Sequence, residues 1–226
     1  MSEPKPMDPA SDIQPRAAAI VAGISLLAMA VVAGLSNFAV IGNLSVPGDA
    51  EATAMNLVSA AGLFRLGAVG LLVVTILDVL VAWGLYIVLR VVNPSLSMLS
   101  AWFRVVFAAI FAVAINNLFG AVRAAPQDPA QTLFFLETFE LGWQAGLIFF
   151  GLHLGLVGVL IWRYGSLSWI FGVLLIVSGA GYVLDGLSML LNSPVTFELS
   201  RFTFVGEVVF IFWLLLRGGK ERVIRR

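Results

Sequence analysis

A few polar side chains interrupt long apolar stretches of this sequence, and these are the residues that could do chemistry. The set consists of Asp78, Asn116, Asn117, Gln144, Asp185 and Glu207. Carboxylates and amides inside apolar segments can bind a polar ligand or relay protons, and an ionisable group at membrane depth is costly enough to mark a functional site. We therefore predict a ligand or proton site here, with Arg65, Glu140 and Arg201 as candidate residues at its rim.

Residue types that many enzymes and metalloproteins need are scarce. The sequence has no cysteine and one histidine, His153, which excludes disulfides, thiolate nucleophiles, iron–sulfur ligation and sites built from several cysteines or histidines. His153 could activate Ser178 or Ser188, but neither serine lies in a Gly-x-Ser-x-Gly elbow. We predict no catalytic residue, no metal site and no cofactor, and expect His153 to pack against or bond to a neighbouring helix.

The composition indicates a membrane protein. Hydrophobic residues make up 60% of the chain and charged residues 12%, whereas a soluble domain is about 25% charged. We predict an all-α, polytopic integral membrane protein with six transmembrane helices in a single domain over 17–217. A disordered cytoplasmic tail, 1–16, and a basic cytoplasmic tail, 218–226, flank it. The spans are expected at about 17–41, 66–90, 101–124, 136–162, 167–191 and 199–216, each long enough to cross a bilayer.

One further helix is expected outside the spans. No strong breaker separates Ala50 from Arg90, and a straight helix of that length would be about twice the thickness of the hydrocarbon core. Ala50–Ala61 is therefore predicted to lie at the membrane surface, with Asp49 as its N-cap. A bend near Gly62 or Gly67 would lead into the second span.

The basic residues predict the orientation. Six spans place both termini on one side, and ten of the thirteen basic residues fall on that side or near its loops. The opposite side has only Arg65, Arg123 and Arg201. Since cytoplasmic loops carry the excess of lysine and arginine, both termini are predicted to be cytoplasmic, in the inner (plasma) membrane.

Depth along the spans predicts where the polar residues lie. At about 1.5 Å per residue, Asp78 and Glu207 fall near the middle of the membrane, and the other four candidates lie toward the non-cytoplasmic side. Asp78 shares a helical face with Gly67, Leu71, Val74, Ala82 and Leu85, so it should face a helix or cavity rather than lipid. Asn116 or Asn117 could be its hydrogen-bond partner. Glycines at 165, 172, 179 and 186 predict a seam for close helix packing.

Several short motifs resemble a known family. They are Leu63–Gly67 (LFRLG), Asp78, Leu85-Tyr86, Val92-Asn93-Pro94 and Phe103-Arg104. Together they are similar to the domain of unknown function 4386 family of small bacterial and archaeal membrane proteins, over about 16–216. The resemblance implies about six helices in one domain, and it implies that Arg65, Asp78 and Arg104 belong to the sequence pattern of the family. It implies no reaction, substrate or ligand.

Three functions are compatible with these residues. The first is binding or transport of a small polar ligand through an outward-biased polar pocket between helices. The alternative is a non-catalytic sensing or scaffolding module whose polar layer is purely structural. The third is an intramembrane enzyme that uses paired carboxylates. The expected partners are the lipid bilayer and a small polar ligand. No nucleic-acid footprint is present, and exposed glycine seams would permit a homo-oligomer.

Overall fold

A computed structural model describes residues 14–164, 169–191, 210–216 and 218 of the chain. The secondary structure in these ranges is entirely helical. A π-helical segment, Gly34–Ile41, joins α1 to α2, and residues 210–216 form a further helical stretch. The helices are α1 (Pro15–Ala33), α2 (Gly42–Leu44), α3 (Ala50–Ser59), α4 (Ala61–Leu89), α5 (Pro94–Ala124), α6 (Pro129–Trp162) and α7 (Trp169–Leu190).

Five helical segments of the described chain are long and apolar enough to cross a membrane. They are Pro15–Leu44, which combines α1, the π-helical segment and α2, together with α4, α5, α6 and α7. The prediction of an all-α membrane protein is confirmed at this level. Most of the predicted sixth span and of both tails lies outside the described residues, as do the candidates Arg201 and Glu207.

Two of the long helices begin at a proline that the sequence pattern had placed in a connecting turn. Pro94 and Pro129 occupy the first turns of α5 and α6. Asn93 caps α5 by accepting a hydrogen bond from the backbone N–H of Leu96 at 3.0 Å, and Asp128 caps α6 in the same way at 2.9 Å. Proline is favoured at the first helical position because it lacks the N–H that would be unpaired there. Both helices therefore begin before the predicted segments at 101 and 136.

The helix predicted at the membrane surface is α3. The Asp49 carboxylate accepts a hydrogen bond from the N–H of Ala52 at 2.9 Å, which confirms the predicted N-cap. The chain bends at Ala60 (φ −119°, ψ 28°), just before the predicted Gly62. One face of α3 is buried and α3 packs against α6, whereas Met55 is 67% exposed.

Each long helix packs against the next long helix along the chain, in the order α1, α4, α5, α6 and α7. A Cβ at Gly84 of α4 would lie 2.7 Å from the carbonyl oxygen of Ala18, and a Cβ at Gly67 would lie 3.0 Å from Val40. The early part of α1 thus meets the late part of α4, so the two helices are antiparallel and in close contact.

Arg16 joins the first helix to the last described residues. Its guanidinium donates hydrogen bonds to the carbonyl oxygens of Leu214 at 3.1 Å and Gly218 at 3.0 Å, and to that of Leu215. A cation at the last carbonyl groups of a helix is favourable for both hydrogen bonding and the helix dipole. The two ends of the described chain therefore lie side by side.

Glycines set the separation of α6 and α7. A Cβ at Gly158 would lie 2.6 Å from the carbonyl oxygen of Gly172, and a Cβ at Gly186 would lie 2.9 Å from that of Gln144. Backbone atoms block each of these positions, so a side chain cannot be fitted by a change of rotamer. Gly172, Gly179 and Gly186 of the predicted seam all make such contacts with α6, whereas Gly155 on α6 has open space at its own Cβ position.

A pair of glycine substitutions tests this packing. We expect Gly158→Ala to lower the free energy of unfolding by about 1–3 kcal/mol, because the added methyl group must push two backbones apart. Gly155→Ala is the matched control on the same helix and should not lower the free energy of unfolding. Thermal unfolding of the purified protein in detergent measures both, and equal stability of the two variants would contradict the seam.

Candidate functional site

A buried ion pair connects α4 and α5. The Nη2 atom of Arg104 lies 2.7 Å from Oδ1 of Asp78, and the two side chains are 3% and 0% exposed. Asp78 lies on the buried face of α4 with Leu71 and Val74, and this confirms the predicted face. Arg104 lies on the buried face of α5, one turn from Phe107. Helical periodicity on the two helices therefore turns an acid and a base toward each other.

His153 of α6 binds the other side of the guanidinium. Its Nε2 atom lies 3.1 Å from Nη1 of Arg104, and its Nδ1 atom lies 2.9 Å from the backbone oxygen of Ser100. A guanidinium can only donate, so Nε2 must accept and carry no proton. Nδ1 then holds the ring proton and donates it to Ser100, which leaves His153 an uncharged imidazole in this arrangement.

Two further contacts complete the surroundings of Arg104. The guanidinium carbon lies 5.3 Å from the centre of the Phe150 ring, a distance suited to a cation–π interaction. Nη2 also lies 4.0 Å from the sulfur of Met29 on α1. One arginine thus contacts side chains from α1, α4 and α6. We name Asp78, Arg104 and His153 the charged cluster.

Hydrogen bonding in the charged cluster is incomplete. Neither carboxylate oxygen of Asp78 accepts a well-directed hydrogen bond from the described residues, and Nε of Arg104 has no partner among them. Oδ1 is in ionic contact with Nη2 of Arg104, and both carboxylate oxygens and Nε are fully enclosed by protein atoms. Buried polar atoms are nearly always hydrogen-bonded in folded proteins, so this pair is held mainly by the attraction between its charges.

A cavity of about 310 Å³ adjoins the cluster. Asp78, Arg104 and His153 line it at one end. On α4 its wall runs from Asp78 back to Leu71, and on α6 from His153 back to Trp143. Both α4 and α6 are antiparallel to α5, so they are parallel to each other. The two stretches therefore extend toward the same end of the bundle, and the charged cluster forms the floor of the cavity.

The mouth of the cavity lies beside the π-helical segment. Asn37 and Phe38 of that segment line the cavity, and Phe38 is 75% exposed. Widened π-helical turns occur often at functional sites. Ala30 and Ala33 lie further along the same wall toward the floor, and their small side chains leave the space that larger residues would fill.

The other predicted site residues lie away from this cavity or outside the described residues. Asn116 is exposed and donates to the carbonyl oxygen of Ala112 at 3.4 Å, and Asn117 donates to that of Ala114 at 3.1 Å. Gln144 donates to Oε1 of Glu140 at 3.0 Å within α6. Asp185 is half-buried on α7, and Arg65 is exposed on α4. Of the described candidates, Asp78 alone lines the cavity.

Sequence reasoning did not assign Arg104 to the site. The span predicted from 101 placed this arginine at the membrane interface, whereas α5 begins at Pro94 and carries it about 15 Å along the helix. The Asn93-Pro94 cap was the signal that could have corrected its depth. His153 was expected to bond to a neighbouring helix, and it does so through Arg104 and Ser100.

Metal binding has little support in this part of the chain. Within the described ranges, no three acidic or histidine side chains lie close enough together to hold a metal ion. Arg104 contacts both Asp78 and His153, and its positive charge opposes a cation beside them.

Comparison with known proteins gives relatives whose function is not described. A family model for a domain of unknown function, DUF4386, matches residues 21–218. An uncharacterized protein of Archaeoglobus fulgidus is 38% identical over 152 residues, which cover 67% of this chain and 83% of that relative. No solved structure matches the chain.

Substitutions of the ion pair test its contribution to stability. Arg104→Met should lower the free energy of unfolding by about 3–5 kcal/mol, because Asp78 would remain as an uncompensated buried charge. Adding Asp78→Leu should recover most of that loss, since apolar replacement of a whole buried pair is often neutral or stabilising. Thermal unfolding in detergent measures both variants.

Arg123→Met is the control for these variants, because Arg123 lies exposed on the same helix. Its effect should stay within about 0.5 kcal/mol. A similar loss in Arg104→Met and Arg123→Met would contradict a buried charge pair, as would a double variant no more stable than Arg104→Met.

Proposed function

We propose that this chain, which belongs to the DUF4386 family of proteins with a domain of unknown function, binds a small amphipathic molecule within the membrane. The observation that carries this proposal is an apolar cavity of about 310 Å³ that has Asp78, Arg104 and His153 among its lining residues. A ligand with an apolar body and one polar end would fill the cavity with its polar end toward the charged cluster.

The size of the cavity supports a small ligand. Sites for small molecules occupy about 300–1,000 Å³ and combine mostly apolar walls with a few polar groups. The cavity here measures about 310 Å³, at the lower end of that range. Its walls are formed mainly by aliphatic and aromatic side chains such as Leu71, Phe111 and Trp143.

The apolar walls of the cavity favour a less polar ligand than the one expected from the sequence alone. The sequence predicted a polar pocket around several amides and carboxylates, and a polar ligand to match. Asn116, Asn117 and Gln144 instead bond within their own helices, as residues of a structural polar layer would. The proposed ligand is therefore amphipathic rather than polar, and Asp78 belongs to the charged cluster that lines one end of the cavity.

A structural module is the second candidate. Arg104 contacts side chains of three other helices, so the charged cluster could serve to hold the bundle together without any ligand. The paired-carboxylate enzyme has less support, because the charged neighbour of Asp78 among the described residues is Arg104 rather than a second acid.

The proposal includes six spans with both termini in the cytoplasm, in the inner (plasma) membrane. Arg16 bonds to carbonyl groups of residues 214–218, so the start of the first span and the end of the described chain adjoin each other. Five consecutive spans would leave the end of α7 on the opposite side. A further crossing after α7 accounts for the contact, and the excess of basic residues near the termini supports the orientation.

Labelling of single cysteines tests this topology, and the absence of native cysteine leaves no background. Ser11→Cys and Lys220→Cys should react with a membrane-impermeant maleimide only after permeabilisation of cells. Gln127→Cys, exposed in the turn between α5 and α6, should react in intact cells. Different accessibility at residues 11 and 220 would contradict an even number of spans, and reversal of all three results would contradict the orientation.

A cavity-filling substitution tests ligand binding. Ala33→Phe places a ring in the cavity, whereas Ile24→Phe changes a 56% exposed position on the same helix. Native mass spectrometry of the wild-type protein released from gentle detergent should show a bound small molecule. That species should be lost in Ala33→Phe and kept in Ile24→Phe, with both variants folded. No bound species in wild type, or an equal amount in both variants, would favour the structural module.

A further inference from the structure

We propose that a groove on the outer surface of α5 and α6 binds one acyl chain of a membrane glycerolipid, with the ester carbonyl of that chain held by Asn117. This site lies apart from the cavity of the proposed function and does not depend on it. Two observations carry the inference: the depth at which polar side chains end an apolar groove, and the hydrogen-bonding group that one of them leaves open.

The groove follows the line along which α5 and α6 meet. Its volume is about 590 Å³, and the described residues that line it all belong to these two helices. The floor is shallow in side chains, since a Cβ at Gly142 would lie 2.8 Å from the Cβ of Ala114. The apolar part runs along α5 from Val113 to Ala109. Close contact of two small residues thus leaves an open apolar channel on the surface of the bundle.

Asn117 and Thr138 form the polar end of the groove. They are the last lining residue of α5 and the first of α6, which run antiparallel. Both are half-buried, so a molecule in the groove can reach their side chains. The Thr138 hydroxyl donates to the carbonyl oxygen of Phe134 at 2.8 Å. Asn117 donates one N–H to that of Ala114 at 3.1 Å, and its second N–H has no partner among the described residues. That N–H is open to an acceptor in the groove.

Exposed charged side chains show that this polar end lies at the membrane interface. Arg65 lies thirteen residues before Asp78 on α4. Asn117 lies thirteen residues after Arg104 on α5, which is antiparallel to α4. Since the ion pair places the two central residues side by side, Arg65 and Asn117 lie at about the same depth. Glu137 of α6 directly precedes the polar end in sequence, and both it and Arg65 are exposed. Charged side chains rarely face hydrocarbon, so this depth is the interface.

The apolar part of the groove then lies within the hydrocarbon layer. From Asn117 back to the start of α5 at Pro94 the helix is about 35 Å long, enough to cross a hydrocarbon core of about 30 Å. A glycerolipid has the same order, with its ester groups at the interface and its chains below. An ester carbonyl only accepts, which suits the open N–H of Asn117. The backbone of a second helix would offer no such acceptor, because its carbonyl groups are bonded within the helix.

Lipid titration of the full-length protein tests the ester contact. Palmitoyl-oleoyl-phosphatidylcholine and its diether analogue, which has the same chains and headgroup but no carbonyl oxygen, are added separately to delipidated protein in detergent. Native mass spectrometry measures the affinity for the first lipid bound. We expect the ester lipid to bind on the order of fivefold more tightly than the diether, as one hydrogen bond contributes. Equal affinities would overturn the assignment of the ester carbonyl to Asn117.

Two adjacent amides provide a matched pair of variants. Asn117→Leu should remove the preference for the ester lipid, because the donor is lost. Asn116→Leu is the control, since Asn116 is exposed, bonds to its own helix and is not among the described residues that line the groove. It should keep the wild-type preference. Loss of the preference in both variants or in neither would contradict the role of Asn117, and the wild-type comparison stands without either variant.

Filling the groove tests its occupant. Ala109 is exposed and lines the groove, so Ala109→Leu should weaken binding of the first ester lipid on the order of tenfold as the chain loses contact with the floor. Ala39→Leu changes an exposed alanine of the π-helical segment and should have no effect. Equal binding by the two variants would overturn the groove as a lipid site. So would a wild-type dimer that Ala109→Leu separates, because the groove would then hold a second copy. Ala33→Phe fills the other cavity and should leave lipid binding unchanged, so the two proposals can fail separately.

Discussion

The structure depends on one constraint: a carboxylate and a guanidinium are enclosed in an apolar helix bundle. Removing each charge from water costs several kcal/mol, and mutual attraction offsets that cost only with close geometry and further hydrogen bonds. The 2.7 Å contact of Arg104 with Asp78 supplies the attraction, and His153 and Phe150 supply further partners from α6. The side chains of Asp78, Arg104 and His153 must therefore lie at the same depth in the bundle. The capping residues set where each helix begins, and the glycines set how closely the helices approach, so both affect this depth.

Helix starts show what could and could not be predicted from the sequence. The membrane class, the helix that begins at Ala50 and its Asp49 cap followed from local signals, namely hydropathy and capping chemistry, and were confirmed. The position of that helix at the membrane surface stays a prediction. The starts of α5 and α6 were missed because proline was interpreted as a stop, although a preceding Asn or Asp makes it a start. That one difference moved Arg104 from the expected interface to the interior.

The partners of Asp78 could not be predicted for a different reason. Helical periodicity fixes which face a side chain occupies, and it placed Asp78 on the buried face of α4 correctly. It does not fix which helix lies opposite, or at what height. Asn116 and Asn117 were candidate partners by depth, but their amides bond to their own helix. The true partner follows from the separation and offset of α4 and α5, where the Ser97 hydroxyl of α5 donates a hydrogen bond to the carbonyl oxygen of Tyr86 on α4 at 3.0 Å.

The charged cluster and the cavity have a common origin in the packing of α1. Close contacts at Gly84 and Gly67 hold α1 and the π-helical segment against α4, yet Ala30 and Ala33 leave space between these points and the aromatic residues of α5 and α6. The apolar surroundings that make the ion pair costly also form the walls of the cavity. A balanced ion pair lets the protein bury both charges there without a net charge, and the contacts of Arg104 with three other helices keep the two charges together.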